Sequence, residues 1–208
     1  MASLIKNRHL HRSFATLSII FVECVVFVLS TSFWPLIQVM DLVGFGYSGF
    51  VEGSQFWTPL TSLFIHVSIY HLLINMFLLY VFGTALESSK GSRFFLLTFF
   101  LGGAASLFIG VPLYSEATRI VGSSIAVSAV IGAVLATTPF KPSPIFLFKA
   151  PLGLIAVIYF IFNAFFAFYG QTTLGIAYPS HIIGFMVGVG FGLMSQLVLQ
   201  HRGSRIEN

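Results

Sequence analysis

His66, His71, Asn75, Ser124 and His181 stand inside runs of apolar residues, where ionisable and amide side chains are costly and usually mark function. Their types suit one chemistry. A serine hydroxyl becomes a nucleophile when a neutral histidine takes its proton. The oxyanion that then forms needs donors, and a side-chain amide, an imidazole or the backbone N–H groups at a helix start can all serve. Ser124 and His181 would be nucleophile and base, with His71 and Asn75 as donors. No acidic residue is placed to orient His181, so the pair reads as a dyad without the third member of a triad. The doubled serine leaves Ser123 open as an alternative nucleophile. The competing reading is that all these groups are hydrogen-bonding contacts between helices.

The elements that must position them follow from composition. Of 208 residues, 57% are hydrophobic and 8% charged, with a mean hydropathy of +0.96. A soluble domain carries roughly a quarter charged residues, so this chain cannot cover a water-facing surface and reads as an all-α polytopic membrane protein. Six apolar runs can be marked, at 14–34, 60–86, 94–113, 121–138, 151–169 and 178–199. They are bounded by Pro35 and by the stretches 87–93, 112–119, 139–144 and 170–173. The first run follows Lys6, Arg8 and Arg12 but has no small-residue cleavage site after it, only Phe33, Trp34 and Pro35, so it reads as a retained span and not a signal peptide. The organisation expected is a basic N-terminal segment (1–13), a six-span membrane domain (14–199) and a short tail (200–208).

With the N-terminus in the cytoplasm, six crossings put Lys6, Arg8, Arg12, Lys90, Arg93, Lys141, Lys149, Arg202 and Arg205 inside and only Arg119 outside. That is the positive-inside pattern. The +4 net charge therefore reads as a topology signal and not as a nucleic-acid surface, and the single cysteine excludes a disulfide framework or a cysteine-rich metal site. The 35–59 link, aromatic and glycine-rich, is expected to lie in the outer interface.

Topology then gives depth. Spans two, four and six all run inward, so His66, His71 and Asn75 fall in the outer half of span two, while Ser124 and His181 sit in the first turns of spans four and six. At about 100° per residue, His71 and Asn75 share a face and His66 lies about 140° from His71. His181, Gly188 and Gly192 make a stripe with Gly184 beside it. Span four is rich in small residues on several sides, so spans four and six are expected to pack closely.

The remaining polar residues take plainer readings. Glu23 has no obvious partner and reads as a protonated or interhelically bonded glutamate, with proton relay as the functional rival. Cys24 reads as packing, Asn163 as a contact between helices and Glu87 as a cap at the end of span two. His9, His11 and His201 read as solvent or headgroup contacts. A zinc site from His66, His71 and His181 would want second-shell acids, and no H-E-x-x-H motif is present. No span carries an aspartate for aspartyl chemistry. A small channel or transporter is disfavoured by six non-repeating spans without paired broken helices.

The motifs carry a resemblance. Residues 57–87, W-T-P-L-T-S-L-F-I-H-V-S-I-Y-H-L-L-I-N-M-F-L-L-Y-V-F-G-T-A-L-E, resemble the second span of the rhomboid intramembrane serine proteases, with its H-x(4)-H-x(3)-N and G-x(3)-E patterns. Gly122-Ser123-Ser124 resembles that family's G-x-S nucleophile motif, Gly132 stands at a further family glycine, and Ser180-His181-Ile182-Ile183-Gly184 resembles its A-H-x-x-G motif. The resemblance runs from about Trp57 to the end of span six. It implies a six-helix rhomboid-like bundle, Ser124 as nucleophile and His181 as base and then acid. It also implies an oxyanion hole of His71, Asn75 and the Ser124 N–H, with His66, Gly122 and Gly184 structural. No cofactor is implied. The partners implied are transmembrane protein substrates, met in the lipid bilayer at a gate beside spans two and five. The chain departs from the family at Ile125, usually glycine, at Ser128, often an aromatic stacked on the histidine, and at Trp57-Thr58, usually Trp-Arg. Ser128 is expected to leave His181 less braced. A relative that only binds transmembrane helices is the rival, though such relatives generally lack the serine or the histidine. The lack of a transit peptide or extra domain suggests a prokaryotic plasma membrane.

Overall fold

A computed structural model of the chain describes residues 13–110, 113, 118–143, 150–169 and 177–206. The expectations for Lys6, Arg8, Arg12, Lys149, His9 and His11 lie outside the described residues, as does the boundary at 170–173. Helix α1 (Phe14–Phe33) is an apolar rod of 20 residues, about 30 Å long at 1.5 Å per residue. Three short helices fill the following link: α2 (Leu36–Val43), α3 (Tyr47–Val51) and α4 (Thr58–Thr61). A 3₁₀ turn at Ser62–Phe64 leads to α5 (Ile69–Leu78), which continues through a π-helical stretch, Leu79–Gly83, into α6 (Thr84–Lys90). Then come α7 (Ser92–Gly110), α8 (Ser124–Thr137), α9 (Leu152–Tyr169) and α10 (Tyr178–Ile206).

Five of these rods are long and apolar enough to cross a membrane: Phe14–Phe33, Ile69–Lys90, Ser92–Gly110, Leu152–Tyr169 and Tyr178–Val198. The sixth apolar helix, α8, has only 14 residues, about 21 Å against a hydrocarbon core of about 30 Å. It is the centre of the bundle, with every residue from Ile125 to Val134 buried. Its small side chains make this possible. A Cβ on Gly188 or Gly132 would collide with the carbonyl oxygens of Ala129 and Phe185 respectively, and one on Gly184 would come within 2.5 Å of the Ile125 oxygen. Gly192 faces Ala136 in the same way. The close approach expected of the fourth and sixth runs is thus present, with Gly184, Gly188 and Gly192 all on the contact. On the other side, Gly102 and Gly103 of α7 meet Ala129 and Ala126.

The second run differs from its expected form. Residues 65–68 are not helical. Ser68 is extended and accepts a 3.2 Å hydrogen bond from the His71 N–H, the geometry of an N-cap. His66 therefore precedes the helix, and angular spacing along a helix does not govern it. The link before α5 is tied to the lead into α8 by paired Phe45–Ile120 backbone bonds of 2.9 Å, and by the Gly122 N–H donating 2.8 Å to the Ser62 oxygen. Ile37, Leu42 and Phe56 leave this link with an apolar exposed face, a surface suited to an interface. Arg119 stands 3.9 Å from Asp41 across it.

Glu87 is buried and ties three elements. Its carboxylate accepts from the Ala15 and Thr16 N–H groups at 2.9 and 2.8 Å, from the Thr16 hydroxyl at 2.7 Å and from the Ser92 hydroxyl at 2.7 Å. It therefore caps α1 from α6, accepting from N–H groups that open the first turn of α1, which has no acidic residue of its own. The expected capping role is present, but at the start of the first span instead of the end of the second. Glu87→Ala leaves four donors without an acceptor and should cost about 3 kcal/mol or more, read as a clear fall in the thermal unfolding midpoint in detergent.

Candidate active site

Ser124 is the first residue of α8 and His181 lies in the first turn of α10. Packing of these two helices through their glycines brings the His181 Nε2 to 2.8 Å from the Ser124 Oγ. Ser124 is half-buried, whereas both of its neighbours, Ser123 and Ile125, are closed off. A hydroxyl at that point combines access with a nearby base.

Asn75 and His71 approach from α5. Asn75 is buried, and its Nδ2 donates 2.9 Å to the His71 carbonyl oxygen, leaving the second amide hydrogen for another acceptor. His71 is half-buried, and its ring lies against Gly122. A Cβ on Gly122 would stand 2.6 Å from the His71 Cε1 and 2.9 Å from Nε2. Gly122 also has φ +109°, in the region that favours glycine. The glycine two residues before Ser124 thus does two things at once: it turns the chain into α8 and makes room for the imidazole.

Ser123 faces away from this group. Its hydroxyl donates 2.8 Å to the Glu23 Oε2 and lies 3.4 Å from the His66 Nε2, with Glu23 and His66 3.7 Å apart. All three side chains are buried. Glu23 therefore has the interhelical partner that its position in α1 did not reveal, 100 residues away in sequence. Of the two serines, only Ser124 meets His181. The His66 ring packs edge-on against His71, with centroids 4.9 Å apart, so it supports the His71 ring instead of lying off its face. Cys24 is half-buried against the core.

One residue read only as a helix contact joins the site. Asn163 of α9 is buried, and its Oδ1 lies 2.8 Å from the His181 Nδ1. The histidine expected to be under-braced is held on both ring nitrogens, by Ser124 and Asn163, with Tyr178 edge-on at 6.2 Å. Among the described residues no group of three His, Cys, Asp or Glu is arranged to hold a metal ion. Ser128 donates 2.7 Å to the Ser124 carbonyl oxygen and therefore accepts the 2.6 Å bond from the Tyr159 hydroxyl.

Residues 53–196 match the family model of the Rhomboid domain. The chain belongs to the rhomboid family. It is 31% identical over 109 residues to Rhomboid-like protease 3 of Toxoplasma gondii, covering 52% of this chain and 41% of that protein. It is 28% identical over 152 residues to the mitochondrial Presenilin-associated rhomboid-like protein A of Danio rerio, covering 68% of this chain and 38% of that one. The chain thus matches well under half the length of either relative. Within the rhomboid frame, its departures have local explanations. The Ile125 side chain points into the buried core, and Thr58, which stands where the family usually has arginine, is buried and donates its hydroxyl 2.8 Å to the Gln55 carbonyl oxygen.

Proposed function

We propose that the chain is a rhomboid-type intramembrane serine protease that hydrolyses peptide bonds in or next to the transmembrane segments of other membrane proteins. The observation that carries this reading is the 2.8 Å contact between His181 Nε2 and the half-buried Ser124 Oγ at the start of α8. The Ser124 oxygen attacks the scissile carbonyl while His181 takes its proton. The tetrahedral oxyanion accepts hydrogen bonds from the free N–H of Asn75, the His71 ring and the Ser124 backbone. Collapse sends the proton from His181 to the leaving amine, and water then releases the acyl group by the same steps in reverse order. No metal or organic cofactor enters this sequence.

The setting proposed is a cell membrane crossed six times, α8 included, with both termini in the cytoplasm; nine of ten basic residues then face inward. In that arrangement the site lies in the outer leaflet, where water can reach it from outside, and the substrate is a transmembrane protein arriving through the bilayer.

The test is cleavage in proteoliposomes of a single-span reporter with a helix-breaking stretch near the outer end of its span. The wild type should release a fragment cut at that stretch, and Ser124→Ala should release none. A wild type that captures the reporter without cutting it supports the rival reading, an inactive rhomboid-like protein that binds transmembrane helices.

A further inference from the structure

We propose that Asn163 is a positioning residue that completes a Ser124–His181–Asn163 triad by fixing the tautomer of His181. The Asn163 Nδ2 donates 2.9 Å to the Tyr159 carbonyl oxygen, one turn earlier in α9. A carbonyl oxygen only accepts, so the NH₂ group must face it, and the amide oxygen must face His181. An amide oxygen also only accepts. The His181 Nδ1, 2.8 Å away, must therefore be the donor and carry the ring proton. In the neutral imidazole that leaves the lone pair on Nε2, directed at the Ser124 hydroxyl. This is the one tautomer that can take the serine proton; with the hydrogen on Nε2 the ring could only donate to Ser124.

Burial makes the assignment consequential. His181 and Asn163 are both closed to solvent, so the amide, not bulk water, is what the Nδ1–H meets. The same oxygen goes on accepting that N–H when His181 carries the serine proton, so the ring need not turn during the reaction. A tie between α9 and α8 lies close by. Tyr159, whose carbonyl orients the amide, bonds through its hydroxyl to Ser128, and Ser128 bonds to the Ser124 carbonyl. Ser128 stands where rhomboids often carry an aromatic stacked on the histidine. In this chain a polar link through α9 replaces that stacking, and Asn163 is its end point.

The inference rests on the reading of Ser124 and His181 as nucleophile and base. It is tested with Asn163→Leu, Asn163→Ala and Asn163→Asp in proteoliposomes, measuring kcat and KM on the reporter and counting competent sites by fluorophosphonate labelling to completion. The leucine and alanine variants should lose about 10²-fold in kcat per labelled site, with KM within about twofold, the size expected when a base is mis-set and not removed. The aspartate, which still accepts from Nδ1, should recover to within about tenfold of wild type. The ¹⁵N shifts of His181 in wild type should report a single Nδ1–H tautomer, and in Asn163→Leu a mixture. Wild-type turnover per labelled site in Asn163→Leu, or an unchanged tautomer in that variant, overturns the inference while leaving the dyad reading intact. A folded wild type that neither cuts nor labels overturns the dyad reading itself.

Discussion

His181→Ala is expected to lower kcat on a transmembrane reporter by about 10⁴-fold or more, and Ser124→Ala to do at least as much. The physical reason is that the two groups act as one unit. Without an acceptor 2.8 Å from its oxygen, the Ser124 hydroxyl keeps its proton and remains a poor nucleophile. Without the hydroxyl, His181 has nothing to activate. The double variant should therefore be no slower than the worse single one, because the second deletion removes nothing that still functions. Ser123→Ala should retain activity, since its hydroxyl is committed to Glu23. Steady-state turnover on one substrate preparation, with unfolding midpoints measured alongside, checks the set. Additive losses in the double variant, or the larger loss at Ser123, would contradict it.

The second large effect is expected at a residue with no side chain. Gly122→Ala places a methyl group 2.6 Å from the His71 Cε1 on a backbone with φ +109°. Carbon atoms settle near 3.5 to 4.0 Å, so the ring must withdraw by about 1 Å, or the turn into α8 must open. Either change moves an oxyanion donor relative to the Ser124 N–H. A misplacement of about 1 Å is worth about 10²-fold in rate, and the loss of one oxyanion donor about 10² to 10³. The expected result is a fall of about 10²-fold or more in kcat, with KM little changed and His181 still contacting Ser124. Alanine at the neighbouring position 123, where φ is ordinary for a helix start at −71°, should not reproduce it.

What could be read without coordinates was what depends on local order. Apolar runs mark α1, α7 and α9 to within a few residues and give the start of α10, whose helix runs on to Ile206 through the segment expected as a tail; the family assignment follows from motifs that lie inside contiguous segments. The approach of α8 to α10 was legible because glycine and alanine at spacings of four announce backbone contact. The break at 65–68 was less so: Ile65 and Val67 keep the stretch apolar, and only Ser68, a residue suited to cap a helix, hinted that the rod begins after His66.

Beyond the Ser124–His181 pair, pairings across distant segments were not legible. Glu23 and Ser123 meet because α1 packs beside the lead into α8, and no spacing encodes that. Asn163 is the instructive case. It falls six residues before the end of α9, which runs outward in the proposed topology, and so lies at the same outer depth as His181. In depth along its span, Asn163 belongs with the histidines. An amide in an apolar helix has many possible partners, though, and only the packing of α9 against α10 selects the Nδ1 of His181.

The most direct measurement is the site of covalent modification by a fluorophosphonate. The detergent-solubilised wild type would be labelled, digested and sequenced by mass spectrometry beside His181→Ala. The account predicts a single adduct, on Ser124, that is absent from the His181→Ala protein. An adduct on Ser123, or no adduct on a wild type that unfolds cooperatively and is therefore folded, would contradict it.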